Sequence, residues 1–328
     1  MWLQLPGKAH RYFPPYLWRN KEQVFLKGNI YTNKVTYATD EIQKATLDFI
    51  TKNKKKPFFA YVPFVLPYAE IISPEDAIYN AFKGKFKEDK PFVLPNDYLS
   101  DYGPNMVEYK YASQLAPHAV YSTMVTHLDN YVGEIMAKLD ELGIAGNTLV
   151  IFTSNNGPAV EGGADPEFFN AALGMRGVKR DLYEGGIRTP FIAVWPHKIK
   201  EGTTSDVVSA FWDMKSTFAE MTNVKEIGNT DGISLMPTFL GQKNQKQHPY
   251  MYWEFPQAGG RKAVRLGNWK GVIYNIDKKD KPEFELYDLE KDPSERKNLD
   301  SQNPKIVAEM KAIMKKEHVD SALFSMGK

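Results

Sequence analysis

Apolar side chains recur at spacings of three and four through residues 118–142, at Tyr121, Val125, Leu128, Val132, Ile135, Leu139 and Leu142. That spacing lines one face of an α-helix, and Gly143 supplies the stop. The pattern then changes: residues 147–154 (NTLVIFTS) are a short, β-branched apolar run that reads as a buried strand. Residues 57–65 (PFFAYVPFV) and 189–196 (TPFIAVWP) read the same way. An earlier helix is predicted over 40–50, with Ile42, Ala45, Phe49 and Ile50 on one face and a capping box from Asp40 to Gln43. Helices and strands alternating in this order predict an α/β sheet with at least some parallel pairing. Chemistry in such sheets gathers at the carboxyl ends of strands, which directs attention to the loops after Val65, Ser154 and Pro196.

Residues 77–117 show no sustained period and are rich in aromatics, proline and glycine; a loop of that length suggests a cover over a pocket. From residue 248 the runs YMYWEF, RKAVRLGNWKGVIYN and FELYDL predict antiparallel strands, and an amphipathic helix starting at Pro304 closes the pattern over 304–317. The expected organisation is an α/β body over 1–247 and a small α+β subdomain over 248–328.

Charge narrows the partners. Lys+Arg of 42 against Asp+Glu of 40 leaves +2, which gives no electrostatic reason to expect nucleic acid or a membrane surface. The basic run from Lys52 to Lys56 ends a predicted helix, where cations suit the helix dipole. No apolar stretch approaches the ~20 residues that span a bilayer. The opening MWLQLPGKAHRYFPPYLWRN lacks the basic start, apolar core and cleavage site of a secretory signal, so no export address is expected in it. There is no cysteine, which removes disulfides, thiolate ligands and cysteine nucleophiles.

Two segments can carry chemistry. Ser154-Asn155-Asn156-Gly157-Pro158 presents two carboxamides at a strand end, and such oxygens suit a hard cation such as Ca²⁺ or Mg²⁺. The same residue types also make an ordinary turn. Residues 173–195 set Lys179 and Arg180 before Gly185-Gly186 and Arg188, and cations beside glycines can clamp a tetrahedral oxyanion. The plain alternative is a structural loop in which Glu184 pairs with Arg188 or with nearby backbone.

Taken together, TLVIFTSNNGPAVEGG, LGMRGVKRDLYEGGIRTPFIAVWP and the spacing between them resemble the sulfatase family, whose usual wording here is S-D-N-G-P, L-R-G-x-K and Y-E-G-G-x-R-x-P. YFPPYLWRN, PFFAYVPFVLPYAE, the helix before TLVIFT, FWDMKSTFAEMTNV, TDGISLMPTFLG and ELYDLEKDPSERKNL extend the likeness over almost the whole chain. The resemblance implies an alkaline-phosphatase-like sheet sandwiched by helices, and hydrolysis of sulfate esters with Ca²⁺ and a formylglycine nucleophile. By the same resemblance Asn156 is a metal ligand, Asn155 stands where the family has a metal-binding Asp, Lys179 contacts the sulfate, and Tyr68 replaces a His near the leaving group. Arg180 and His10 are expected beside the substrate, His10 because it precedes the aromatic run YFPPYLW.

The departures from the family's pattern set further expectations. No cysteine and no Ser-x-Pro-Ser-Arg is present, so no formylglycine can arise from a cysteine here, and the paired acidic metal ligands of the family have no counterpart. The sequence is therefore expected to be an N-terminally truncated, inactive sulfatase relative with weakened Ca²⁺ binding, open to self-association or to a complementary N-terminal fragment. The alternative is a non-catalytic module that binds sulfated carbohydrate through Lys179, Arg180, Arg188, Trp18 and Tyr12. Phosphate-ester or phosphonate hydrolysis meets the same missing nucleophile. His118, His127, His197, His248 and His318 show no ligand spacing and are expected in structural or solvated roles. By family alone, the parent protein is periplasmic, secreted or lysosomal.

Overall fold

The computed structural model describes residues 3–4, 11–29, 33–87, 91–93, 111–225, 227–257, 259–277, 283–323 and 326. Packing divides the chain into one unit of Met1–Thr148 with Ala159–Phe169, and a second of Leu149–Pro158 with Asn170–Lys328.

In the first unit, β1 (Leu3–Gln4), β2 (Tyr16–Arg19) and β3 (Glu22–Phe25) form a small antiparallel sheet in that order. Among the described residues the helices α1 (Ala38–Asn53), α2 (Ala77–Phe82) and α3 (Pro117–Glu141) follow. Helix α1 carries no side-chain cap. Asp40 instead accepts a hydrogen bond from the Tyr131 hydroxyl, and the buried Gln43 amide donates to Tyr131 O (3.0 Å) and Glu134 Oε2 (2.9 Å). The expected capping box is thus a cross-link to α3. On α3, Leu139 of the expected stripe is buried and Tyr121 and Leu128 pack half-buried against the core, while Val120, Met124, His127 and Tyr131 beside that stripe are buried and Val125 is 41% exposed. Tyr12, Phe13, Tyr37, Leu66, Ile71 and Met124 belong to the aromatic-rich core beneath it.

Residues 57–65 form no strand. Pro57 and Pro63 lack the N–H that a ladder needs, and Phe59 and Tyr61 face solvent. Within the expected long loop, α2 is capped by Asp76, whose Oδ1 accepts from Ile78 N (2.9 Å) and Tyr79 N (3.0 Å). Residues 88–90 and 94–110 of that loop lie outside the described residues.

The second unit contains β4 (Val150–Thr153), α4 (Glu184–Ile187), β5 (Phe191–Val194), α5 (Asp213–Met221), α6 (Met236–Phe239), β6 (Met251–Phe255), β7 (Arg261–Leu266), β8 (Trp269–Tyr274), β9 (Phe284–Asp288) and α7 (Pro304–Glu317). Strands β4 and β5 pair antiparallel, Val150 opposite Val194 and Thr153 opposite Phe191. Every sheet pairing among the described residues is antiparallel, so the expected parallel pairing is not found there. Ile151 and Ala193 pack with Met214 of α5 and with Met236 and Phe239 of α6. On the opposite face Ile192 is 55% and Val194 37% exposed.

Strands β6 to β9 make a four-stranded meander, and α7 covers one face through Met310 and Met314 against Val264, Phe284 and Leu286. The other face, with Ala263, Val272 and Tyr287, packs on Leu182 and Tyr183. The sheet and helix expected over 248–328 are present, and they continue into a larger unit that includes the loop carrying Lys179. Among the described residues no helix is long and apolar enough to cross a membrane.

Candidate functional site

The loop after β4 is fixed by backbone contacts. Gly157 N donates to Gly186 O (2.9 Å), and Lys179 N donates to Pro158 O (2.8 Å). A Cβ on Gly157 would lie 1.8 Å from Gly185 O, and one on Gly185 would lie 2.4 Å from Gly177 O. These glycines are required because three backbone segments touch with no room for a side chain. The result ties the carboxamide loop, the Lys179 loop and α4 into one knot within a single unit.

Asn155 at the head of this loop is exposed, and Asn156 is half-buried. Asn156 Nδ2 donates to Gly157 O (2.8 Å), and Ser154 Oγ donates to Asn156 O (3.0 Å). These bonds orient the carboxamide. Arg180 occupies the left-handed region at φ 78°, which is unfavourable for a residue with a Cβ. Its carbonyl and Asp181 Oδ1 each accept from Arg261 Nη1 at 2.7 Å, and that fork holds the turn. Arg188 pairs with Glu184 across 3.8 Å and its N–H bonds to Glu184 O, which is the structural reading of that arginine.

Beneath α4 sits a charge cluster. Lys270 Nζ lies 2.9 Å from Glu184 Oε1 and 3.1 Å from Glu295 Oε1, and Arg265 Nη1 lies 3.8 Å from Glu184 Oε2. Burial pushes the Glu295 carboxyl up, and Lys270 opposes it.

Tyr68 belongs to the first unit, where its hydroxyl lies 3.0 Å from the Tyr111 hydroxyl and its carbonyl accepts from Tyr12 Oη (2.8 Å). Tyr12 is 1% exposed and part of the core, so it does not line a pocket as the carbohydrate-binding alternative supposed. His10 lies outside the described residues. Three of the other histidines have structural partners: His118 Nε2 is 3.3 Å from Asp165, His127 Nε2 is 3.1 Å from Asp76, and His248 Nε2 is 2.9 Å from the buried Asp213, while His197 is exposed.

For a cation, the loop offers two neutral carboxamides. Among the described residues no three His, Cys, Asp or Glu side chains gather to hold a metal. Calcium takes about 6–8 oxygen ligands, commonly with carboxylates among them, so this donor set does not by itself make a calcium site.

Comparison with known proteins agrees with this layout. The family model for Sulfatase matches residues 9–224, and that for N-sulphoglucosamine sulphohydrolase, C-terminal, matches 177–320. The chain belongs to the sulfatase family. It is 31% identical over 213 residues to N-acetylgalactosamine-6-O-sulfatase of Bacteroides thetaiotaomicron, covering 58% of this chain and 40% of that enzyme. It is 30% identical over 238 residues to human arylsulfatase A, covering 65% and 45%. Among solved structures, Ps i-CgsB superposes with TM-score 0.68 at 23% identity over 92% of this chain and 57% of that one. A protein solved in complex with its substrate D-glucosamine-2-N,6-O-disulfate gives TM-score 0.66 at 21% identity, over 96% and 75%. These likenesses show the alkaline-phosphatase-like fold. The sulfatase chain described here spans under half the length of the two curated relatives just named.

Sequence reading missed the residues of the second unit that support the Lys179 loop and α4. Arg261, Lys270 and Glu295 come from the C-terminal sheet and the loop after it, far from the glycine-rich motif in sequence. Glu295 was visible only as part of the tail motif ELYDLEKDPSERKNL. In the first unit, sequence reading also passed over Glu70, next but one to Tyr68: burial raises its carboxyl to about 7 against the opposing pull of Arg11 and the Ala112 N–H.

Proposed function

We propose that this chain supplies the sulfate-facing loops of a sulfatase, recognises a sulfated carbohydrate, and as residues 1–328 binds such a ligand without cleaving it. The observation that carries the reading is the backbone bond from Lys179 N to Pro158 O. It pins a cation-bearing loop to the carboxamide loop after β4. A sulfate ester placed there meets Lys179, with Arg180 adjacent, and charge-assisted hydrogen bonds to its oxygens supply the affinity. Asn155 and Asn156 offer a partial donor set for Ca²⁺, so calcium is expected to bind weakly on its own.

The carbohydrate class is favoured by the relatives, one of which carries N-acetylgalactosamine-6-O-sulfatase as its name. No cleavage is expected of residues 1–328, since they carry no cysteine and no Ser-x-Pro-Ser-Arg motif from which a formylglycine could arise. By resemblance Tyr68 stands where the family has a His near the leaving group, and a phenol is a poorer proton donor to a leaving alkoxide than an imidazolium.

The test is to incubate the chain with glucosamine 6-sulfate and Ca²⁺ and to measure released sulfate by ion chromatography alongside ligand binding. Binding without release is expected. Sulfate release above the buffer control contradicts the proposal, and so does equal binding of unsulfated glucosamine.

A further inference from the structure

We infer that Lys270, Glu184 and Glu295 are positioning residues that set the Asn156 and Lys179 loops from behind. This inference rests on the sulfate-recognition reading above for its functional consequence.

The chain of contacts is continuous and lies within one unit. Glu295 Oε2 accepts from Glu184 N at 2.6 Å, at the first residue of α4. Lys270 Nζ, from the middle of the meander, bonds Glu184 Oε1 at 2.9 Å and ion-pairs with Glu295 Oε1 at 3.1 Å. The side chains of Lys270, Glu184 and Glu295 are 0%, 3% and 0% exposed. The next two residues of α4 are Gly185 and Gly186, which receive the Gly157 backbone at contact distance. Gly185 N in turn donates to Arg176 O (2.7 Å), on the loop that leads to Lys179. Any shift of α4 therefore moves both ligand-bearing loops.

Two features argue that this is more than incidental packing. Glu295 sits in the left-handed region at φ 53°, an unfavourable backbone state that aims its carboxylate inward at the α4 N–H. An interior ammonium is costly unless paired, yet Lys270 is fully enclosed with two carboxylates around it. Arg265 and Arg188, each 3.8 Å from Glu184 Oε2, complete the charge count around the cluster. Apolar residues of similar volume would fill that space, but they would leave the Glu184 N–H without an acceptor and α4 free to slide.

The experiment compares Glu295→Gln with Met310→Ala, a control on the α7 face of the same meander, by amide hydrogen exchange and by titration with glucosamine 6-sulfate. In Glu295→Gln the Gly157 and Lys179 amides are expected to exchange at least ~10-fold faster relative to the β7 amides, with affinity weaker by a similar factor. Met310→Ala is expected to loosen the meander without singling out those two amides and to keep the affinity of its folded form. If Glu295→Gln does not fold, Glu295→Asp, which keeps the charge but withdraws it by one methylene, takes its place with the same expectation. Exchange at Gly157 and Lys179 no faster than in β7 overturns the positioning role; so does faster exchange with unchanged affinity. If the unmutated chain binds no sulfated sugar, the recognition reading falls, and the amide pattern alone then decides whether the three residues fix the loops.

Discussion

Glu70 and Gly157 show how single residues set conditions that their neighbours in sequence do not announce. The Glu70 carboxyl is enclosed, and its pKa of about 7 in the fold compares with 4.5 in the unfolded chain. The folded state then holds a proton that the unfolded state has released, so stability falls as pH rises from 4.5 through 7. The full effect is on the order of 3 kcal/mol, from about 1.4 kcal/mol per pKa unit. Urea unfolding at about pH 5 and pH 8 is expected to show a lower midpoint at the higher pH, and Glu70→Gln is expected to reduce that difference. Gly157 is a steric case. An added methyl group 1.8 Å from Gly185 O forces the two loops apart, and Gly157→Ala is expected to destabilise the second unit by about 3 kcal/mol or more, read from its thermal midpoint. The glycine-rich motif was legible in the sequence, but the reason for it was not. The sequence reading took Gly185-Gly186 as neighbours of an oxyanion clamp, whereas the structure uses them for close backbone approach.

Elements were legible where a local period determined them. Helix α7 begins at Pro304 as expected, and strands β4 and β5 fall inside the runs predicted for them. Misreadings occurred where a distant partner decided the outcome. The run 57–65 has strand-like composition, but its prolines and the lack of a ladder leave it as extended coil. The buried face of α3 extends beyond the expected stripe to His127 and Tyr131, where the Tyr131 hydroxyl reaches Asp40 on α1 and His127 reaches Asp76. The Lys179 loop and the loop after β4 were recognisable as motifs. That Arg261 holds the turn at Arg180 and Asp181 was not, since the two lie on elements 80 residues apart. Breaking that fork has a defined consequence. Arg261→Met is expected to weaken sulfated-sugar binding by roughly 10-fold, about one charge-assisted hydrogen bond, with the meander itself intact by circular dichroism.

At the scale of the molecule, the open face of β4 and β5 carries the largest consequence. Ile192 is 55% and Val194 37% exposed on one side of a two-stranded sheet that pairs with no third strand among the described residues. We propose that this face pairs with the same face of a second copy of the chain. Light scattering during size exclusion is expected to show species above the 37.4 kDa of one chain, reduced by Ile192→Lys. An unchanged monomer for both proteins contradicts that proposal. Family membership was legible at this scale through the ordered motifs of the whole chain, while the support for the Lys179 loop from the C-terminal sheet required the fold. The central claim is that Lys179 and the loop after β4 recognise a sulfate ester, and calorimetric titration of glucosamine 6-sulfate into the chain and into Lys179→Ala tests it most directly. Saturable binding by the chain, weakened ~10- to 100-fold in the variant, is the predicted result; equal affinity in both, or equal affinity for unsulfated glucosamine, would contradict it.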